Sequence, residues 1–189
     1  MKEKAKNKRR RKRPLISRIY VRQILPGMQG PPVGRLHCGQ SIVRCAIGRS
    51  GIGIKLREGD GISPRGAFSI VGSMIRLDRV RRIQGPILAT QIRKTDGWCD
   101  DAAHRSYNRP VRIPISGSYE CLYRADSLYD VLLILDYNFR PRASGRGSAI
   151  FFHLCQNALN STEGCLAIPL VELRKIVSRL SVDSKIIFV

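Results

Sequence analysis

Gly147-Ser148-Ala149-Ile150-Phe151-Phe152-His153-Leu154 is a short apolar strand that ends on a titratable imidazole. A polar loop, residues 156–162, follows it and leads to Gly164-Cys165. Beyond the cysteine the hydrophobic period changes. Leu170, Leu173, Ile176, Val177 and Leu180 fall at helical spacing, with Arg174, Lys175 and Arg179 between them. Pro169 suits the first helical position, so the spacing predicts a helix of about three turns directly after the cysteine loop.

Upstream, the chain reads as short strands separated by turns. Ser41–Ile47, Gly66–Val71, Val111–Ile115 and Leu128–Leu135 are apolar or β-branched runs, and Lys185–Val189 is a terminal strand candidate. Pro26-Gly27-Met28-Gln29-Gly30-Pro31-Pro32 breaks regular structure and marks a linker. No internal repeat or heptad is present. The prediction is a mainly β domain at residues 33–189 with few short helices, preceded by a tail and linker at residues 1–32.

The composition restricts partners. Of the net charge of +20, residues 1–13 hold +8, from nine Lys or Arg against Glu3, which leaves +12 on the remaining residues. A segment of that kind buries no apolar surface and repels itself, so it is expected to be disordered. The basic body favours anionic partners such as an acidic lipid surface or polyanionic polymer. A nucleic-acid-binding protein is the alternative of a different class. The absence of an aromatic-interleaved basic face or a known binding motif argues against it. Leu15-Ile16-Ser17-Arg18-Ile19-Tyr20-Val21-Arg22 is interrupted by two arginines and does not read as the apolar part of an export signal. The six cysteines, at 38, 45, 99, 121, 155 and 165, show no paired metal spacing, and no metal is assigned.

A thiol attacks as its thiolate, and a neighbouring imidazole can take the proton. His153 and Cys165 supply those two groups, Gly164 allows a close backbone approach, and a loop offers free N–H groups to an oxyanion. Read singly, a histidine at a strand end is more often a hydrogen-bonded structural residue than a base, and a buried cysteine more often an inert packing group. Cys155 competes as nucleophile because it shares a strand face with His153, but it has no adjacent loop to serve an oxyanion. Trp98 fits a substrate stack or a core position, and Asp100-Asp101 fits a solvated turn.

Gly147 to His153 followed by Thr162-Glu163-Gly164-Cys165-Leu166-Ala167 resembles the L,D-transpeptidase catalytic domain, the YkuD family. Ser63-Pro64-Arg65-Gly66-Ala67-Phe68, Asp96-Gly97-Trp98-Cys99-Asp100-Asp101, Tyr107-Asn108-Arg109-Pro110-Val111 and Leu128-Tyr129-Asp130-Val131 look like further segments of one bacterial branch, in the same order. The resemblance covers roughly residues 33–182. It implies a YkuD-like β-sandwich or mixed-sheet catalytic domain and a peptidoglycan L,D-transpeptidase in the cell envelope or periplasm. Cys165 would form a thioester with diaminopimelate in a tetrapeptide stem, with His153 as proton acceptor and donor. The N–H groups of Gly164 and Cys165 would hold the oxyanion, and no cofactor is implied. Hydrolysis of the same thioester, as an L,D-carboxypeptidase or peptidoglycan amidase, is the alternative within this chemistry. Lys55, Arg57 and Asp60 would border the cleft. The family core has an arginine where Ala167 stands, so Arg109, Arg142 and Arg146 become candidates for a substrate carboxylate. Thr162 and Glu163 are candidate substrate contacts, Glu163 for an amine.

Overall fold

The computed structural model describes residues 15–24, 31–81, 83, 85, 87–156 and 159–189. Its strands are β1 (Ile16–Ile24), β2 (Val33–Cys38), β3 (Ser41–Ala46), β4 (Ile52–Gly53), β5 (Ser63–Pro64), β6 (Gly66–Ile75) and β7 (Thr90–Gln91). They continue as β8 (Asp96–Cys99), β9 (Arg109–Arg112), β10 (Tyr119–Cys121), β11 (Val131–Leu135), β12 (Phe151–Leu154), β13 (Leu166–Ile168) and β14 (Leu180–Phe188). One helix, α1 (Leu170–Val177), lies between β13 and β14.

The main sheet runs β11-β12-β13-β3-β2-β1-β14-β6, and β6 also pairs with β11. Eight strands therefore close on themselves, with β7 attached along the far half of β6. The sheet is mixed, since β1–β14 and β12–β13 are parallel. The expected mainly β, mixed-sheet class is observed; in place of a sandwich, the main sheet is a barrel. Closure removes the exposed edges that an open sheet would have to protect.

Alternation along the strands creates two cores. Leu133 and Leu135 of β11 pack with Ile19, Val21, Leu36, Phe152, Leu154 and Leu166 in the barrel core. Leu132 and Ile134 pack instead with Trp98, Leu122, Tyr129, Phe151 and Cys165, beneath the three-stranded sheet β10-β8-β9. Strands β11 and β12 are buried at every residue because both of their faces are covered. This explains why they read as continuous apolar runs. It also explains how a histidine within β12 comes to be 5% exposed.

Three sequence expectations change. Residues 16–24, placed in the tail and linker, form β1, paired with β2 and β14 inside the barrel; Ile16, Ile19 and Val21 are buried, with an irregularity in the ladder between Ile16 and Arg18, while both arginines face out. Residues 1–14 and 25–30, including the basic run read as disordered, lie outside the described residues. The helix is two turns rather than three. Ser178 caps it, its N–H donating to Arg174 O, and Leu180 joins β14 opposite Ile16. Finally, Cys165 leads into strand β13 and not into a helix.

Candidate active site

Parallel pairing of β12 with β13 sets Phe152 against Leu166 and His153 against Ala167. The same register carries Cys165 alongside Phe151, so Cys165, Phe151, His153 and Ala167 share the outer face of the barrel wall. Cys165, His153 and Ala167 all line one cavity of about 660 Å³ between that wall and the second layer. The two residues singled out for chemistry are thus brought together.

The loop that carries Cys165 is held from several directions. Thr162 Oγ1 donates to Cys165 O at 2.7 Å and accepts from Gly164 N at 3.2 Å. Ser63, fully buried in β5, donates to Gly164 O at 2.9 Å and accepts from Gly48 N at 2.8 Å. Gly164 has φ +135°, and a Cβ there would stand 2.7 Å from Ile62 O. Only glycine meets both demands. Because the Gly164 N–H is already spent on Thr162, it is not the free oxyanion donor that was expected. The Cys165 N–H precedes the β12–β13 ladder, which starts at Leu166.

The thiol itself donates to Ala149 O at 3.2 Å and accepts from Phe151 N at 3.4 Å. Ala149 has φ +51°, a left-handed conformation uncommon for a residue with a Cβ, and this turn accompanies the contact of its carbonyl with the sulfur. Burial pushes the thiol up to about 12; the Phe151 N–H opposes this, while Glu120 and, more weakly, Glu163 reinforce it. Burial pushes His153 down to about 4. At neutral pH both groups are therefore uncharged, a thiol and a neutral imidazole lining one cavity. His153 Nδ1 lies 2.8 Å from Leu154 O. A carbonyl only accepts, so in the neutral ring Nδ1 carries the proton and Nε2 is the unprotonated nitrogen; the Leu128 carbonyl also bears on the ring. The Tyr129 ring packs edge-on against the imidazole, with centroids 5.1 Å apart, and fixes its plane.

Electrostatically the cavity is the opposite of the chain as a whole. Among the described residues its lining carries the carboxylates of Glu58, Asp100, Glu120, Asp126 and Glu163 and a single cation, Arg124. Arg124 is spent on acids, reaching Asp126 through Nε and Nη2 at 2.9 and 2.7 Å and Glu120 at 2.9 Å. Its segment is stapled by Arg76, which donates to Arg124 O, and by Arg79, which donates to Asp126 O and Ala125 O. Glu163, two residues before Cys165, points to solvent and is paired with Arg49 at 3.0 Å.

The remaining candidates are dispersed. Arg109 lies over the Phe139 ring and donates to Phe139 O. Arg142 donates to Tyr107 O and Arg105 O, and Arg146 to Leu56 O. None of these three arginines lines the cavity, because each is turned to tie loops together. Trp98 is a core residue, donating from Nε1 to Asn108 Oδ1 and crossing Phe151 edge-on. From the 55–61 loop it is Glu58 and Gly59 that line the cavity. Lys55 and Asp60 pair internally at 2.6 Å, and three backbone N–H groups complete the Asp60 cradle. Glu58 in turn accepts from Tyr107 OH at 2.5 Å, and Tyr107 accepts from Gly147 N, which pins this loop at the cavity. Ser63, Glu120, Arg124 and Tyr129 were not assigned roles from sequence, since only the fold brings them to the cysteine. All six cysteines are free thiols, and Cys155 lines the same cavity.

Compared with models of protein families, with curated proteins and with solved structures, the chain matches none.

Proposed function

We propose that the protein is a cysteine acyltransferase acting on peptidoglycan stems, an L,D-transpeptidase of the cell envelope. The observation that carries this reading is the Cys165–His153 arrangement: a thiol and an imidazole lining one cavity, the imidazole kept neutral by burial with Nδ1 against Leu154 O. A neutral imidazole beside a neutral thiol is the starting state of general-base catalysis.

In this mechanism His153 Nε2 takes the Cys165 proton as sulfur adds to the carbonyl of the donor diaminopimelate. The Cys165 N–H holds the oxyanion. Collapse breaks the C–N bond, and the leaving D-alanine amine receives its proton from His153, leaving a thioester. The amine of a second stem then attacks the thioester and gives its proton to His153. Expulsion of the sulfur, which takes that proton back, completes the cross-link.

The acidic lining supports an amine-bearing acceptor and disfavours a polyanion in the cavity. Glu163, the sequence candidate for holding that amine, is matched one to one by Arg49, whereas Glu120 and Asp126 share the single Arg124, so their cluster keeps a net negative charge on the cavity wall. Incubation with purified diaminopimelate-containing tetrapeptide muropeptides tests the reading. Cross-linked dimers that vanish in Cys165→Ala are expected. Shortened monomers alone would make the protein a hydrolase, and unchanged muropeptides would refute acyl transfer on this substrate.

A further inference from the structure

The barrel wall across from the candidate active site is strongly basic. Around the ring, β1 stands four strands from β12 in either direction. On β1, β2 and β3, the register sets Arg22 against Arg35 and Arg35 against Arg44. All three are exposed. Neighbouring strands lie about 4.8 Å apart, so the row brings three like charges within about 10 Å. That is about one screening length in physiological salt, and charges placed opposite one another across strands repel. No ion pair involves these arginines among the described residues, and β1, β2, β3 and β6 contain no acidic residue.

A second row runs beside the first. Tyr20 stands against His37 on β2 and Ile187 on β14, and His37 stands against Ile42. Ile42 is 61% exposed. A third row pairs Arg18 with Lys185, both exposed. Outward-facing rows thus alternate basic, apolar and basic across a strand surface. The basic residues at 2–13 enter the chain just ahead of β1.

We infer that this wall docks on an anionic lipid bilayer, with the arginine rows on phosphate headgroups and Tyr20, Ile42 and Ile187 at the apolar boundary. Charge complementarity selects an anionic surface, and the apolar row between the basic rows selects a bilayer over a fully solvated polyanion. The orientation leaves the acidic cavity on the side facing away from the membrane.

Flotation of the full-length chain with phosphatidylcholine vesicles, with and without phosphatidylglycerol, tests this. Binding is expected only with phosphatidylglycerol. The triple variant Arg22→Ser, Arg35→Ser, Arg44→Ser should lose affinity on the order of a hundredfold, while the triple Arg→Lys variant keeps it. Arg18→Ser with Lys185→Ser, melting like the parent, should weaken binding in the same direction and serves if the first variant fails to fold. Parental affinity in both serine variants would overturn the inference and leave residues 1–13 as the anchor. Binding to duplex DNA or to purified sacculi, with none to the anionic vesicles, would also overturn it.

Discussion

His153 carries a pH signature that does not depend on activity. Burial holds its folded-state proton affinity at about 4 against the ordinary 6.5. The unfolded chain therefore binds a proton that the folded chain refuses between those values. Its contribution is complete above 6.5 and is lost as pH falls through that window, so acid favours unfolding. Evaluated at pH 4, the loss is about 3 kcal/mol. Asp60, held at about 2 by Lys55 and three N–H groups, and Asp126, lowered by Arg124, act in the same direction, but only at pH values nearer the ordinary carboxylate range. They are common to the parent and to His153→Gln, so they cancel in the difference. Urea unfolding of both proteins at pH 7 and pH 4 measures it. The midpoint of the parent should fall by about 1.5 M more than that of the variant, for a slope of about 2 kcal/mol per M. Equal losses in the two proteins would refute a buried, neutral imidazole and remove the base from the mechanism.

Other positions give independent tests. Ser63→Ala leaves Gly48 N–H without its buried acceptor and Gly164 O without a donor; a loss of about 1–3 kcal/mol by chemical denaturation is expected, together with slower thioester formation. Gly164→Ala forces a Cβ to 2.7 Å from the backbone Ile62 O at φ +135°, so a clear fall in melting temperature is expected together with loss of rapid-quench acylation. Glu120→Gln removes an acid that both raises the thiol and lines the cavity. It should raise KM for the acceptor amine about tenfold while leaving single-turnover acylation equal or faster. A drop in acylation with an unchanged acceptor KM would contradict an amine subsite there.

The legible parts of the fold were those with local signatures. The apolar runs that became β3, β6, β11 and β12 stood out, as did the helical spacing that became α1. Strand β1 was lost because Arg18 and Arg22, which face outward from a barrel, look in sequence like interruptions of an apolar segment. Closure into a barrel depends on β6 pairing with both β14 and β11, a long-range choice that no local pattern encodes. At the candidate site, Cys165, Gly164, Thr162 and His153 were visible because the chain carries them within thirteen residues. Arg109, Arg142 and Arg146 were misplaced because charge alone does not say which way a side chain turns, and each answers loop carbonyls instead. Ser63 of β5, Glu120 of β10 and the Arg124–Asp126 turn are remote from Cys165 in the chain, and only the tertiary fold brings them to it.

The central claim is that Cys165, and not its cavity neighbour Cys155, carries the acyl group. Intact-protein mass measurement after exposure to a carbapenem, followed by peptide mapping, tests it most directly. A single adduct on Cys165, absent in Cys165→Ala and slowed in His153→Gln, is the predicted result. Modification of Cys155 with Cys165 untouched would contradict the account.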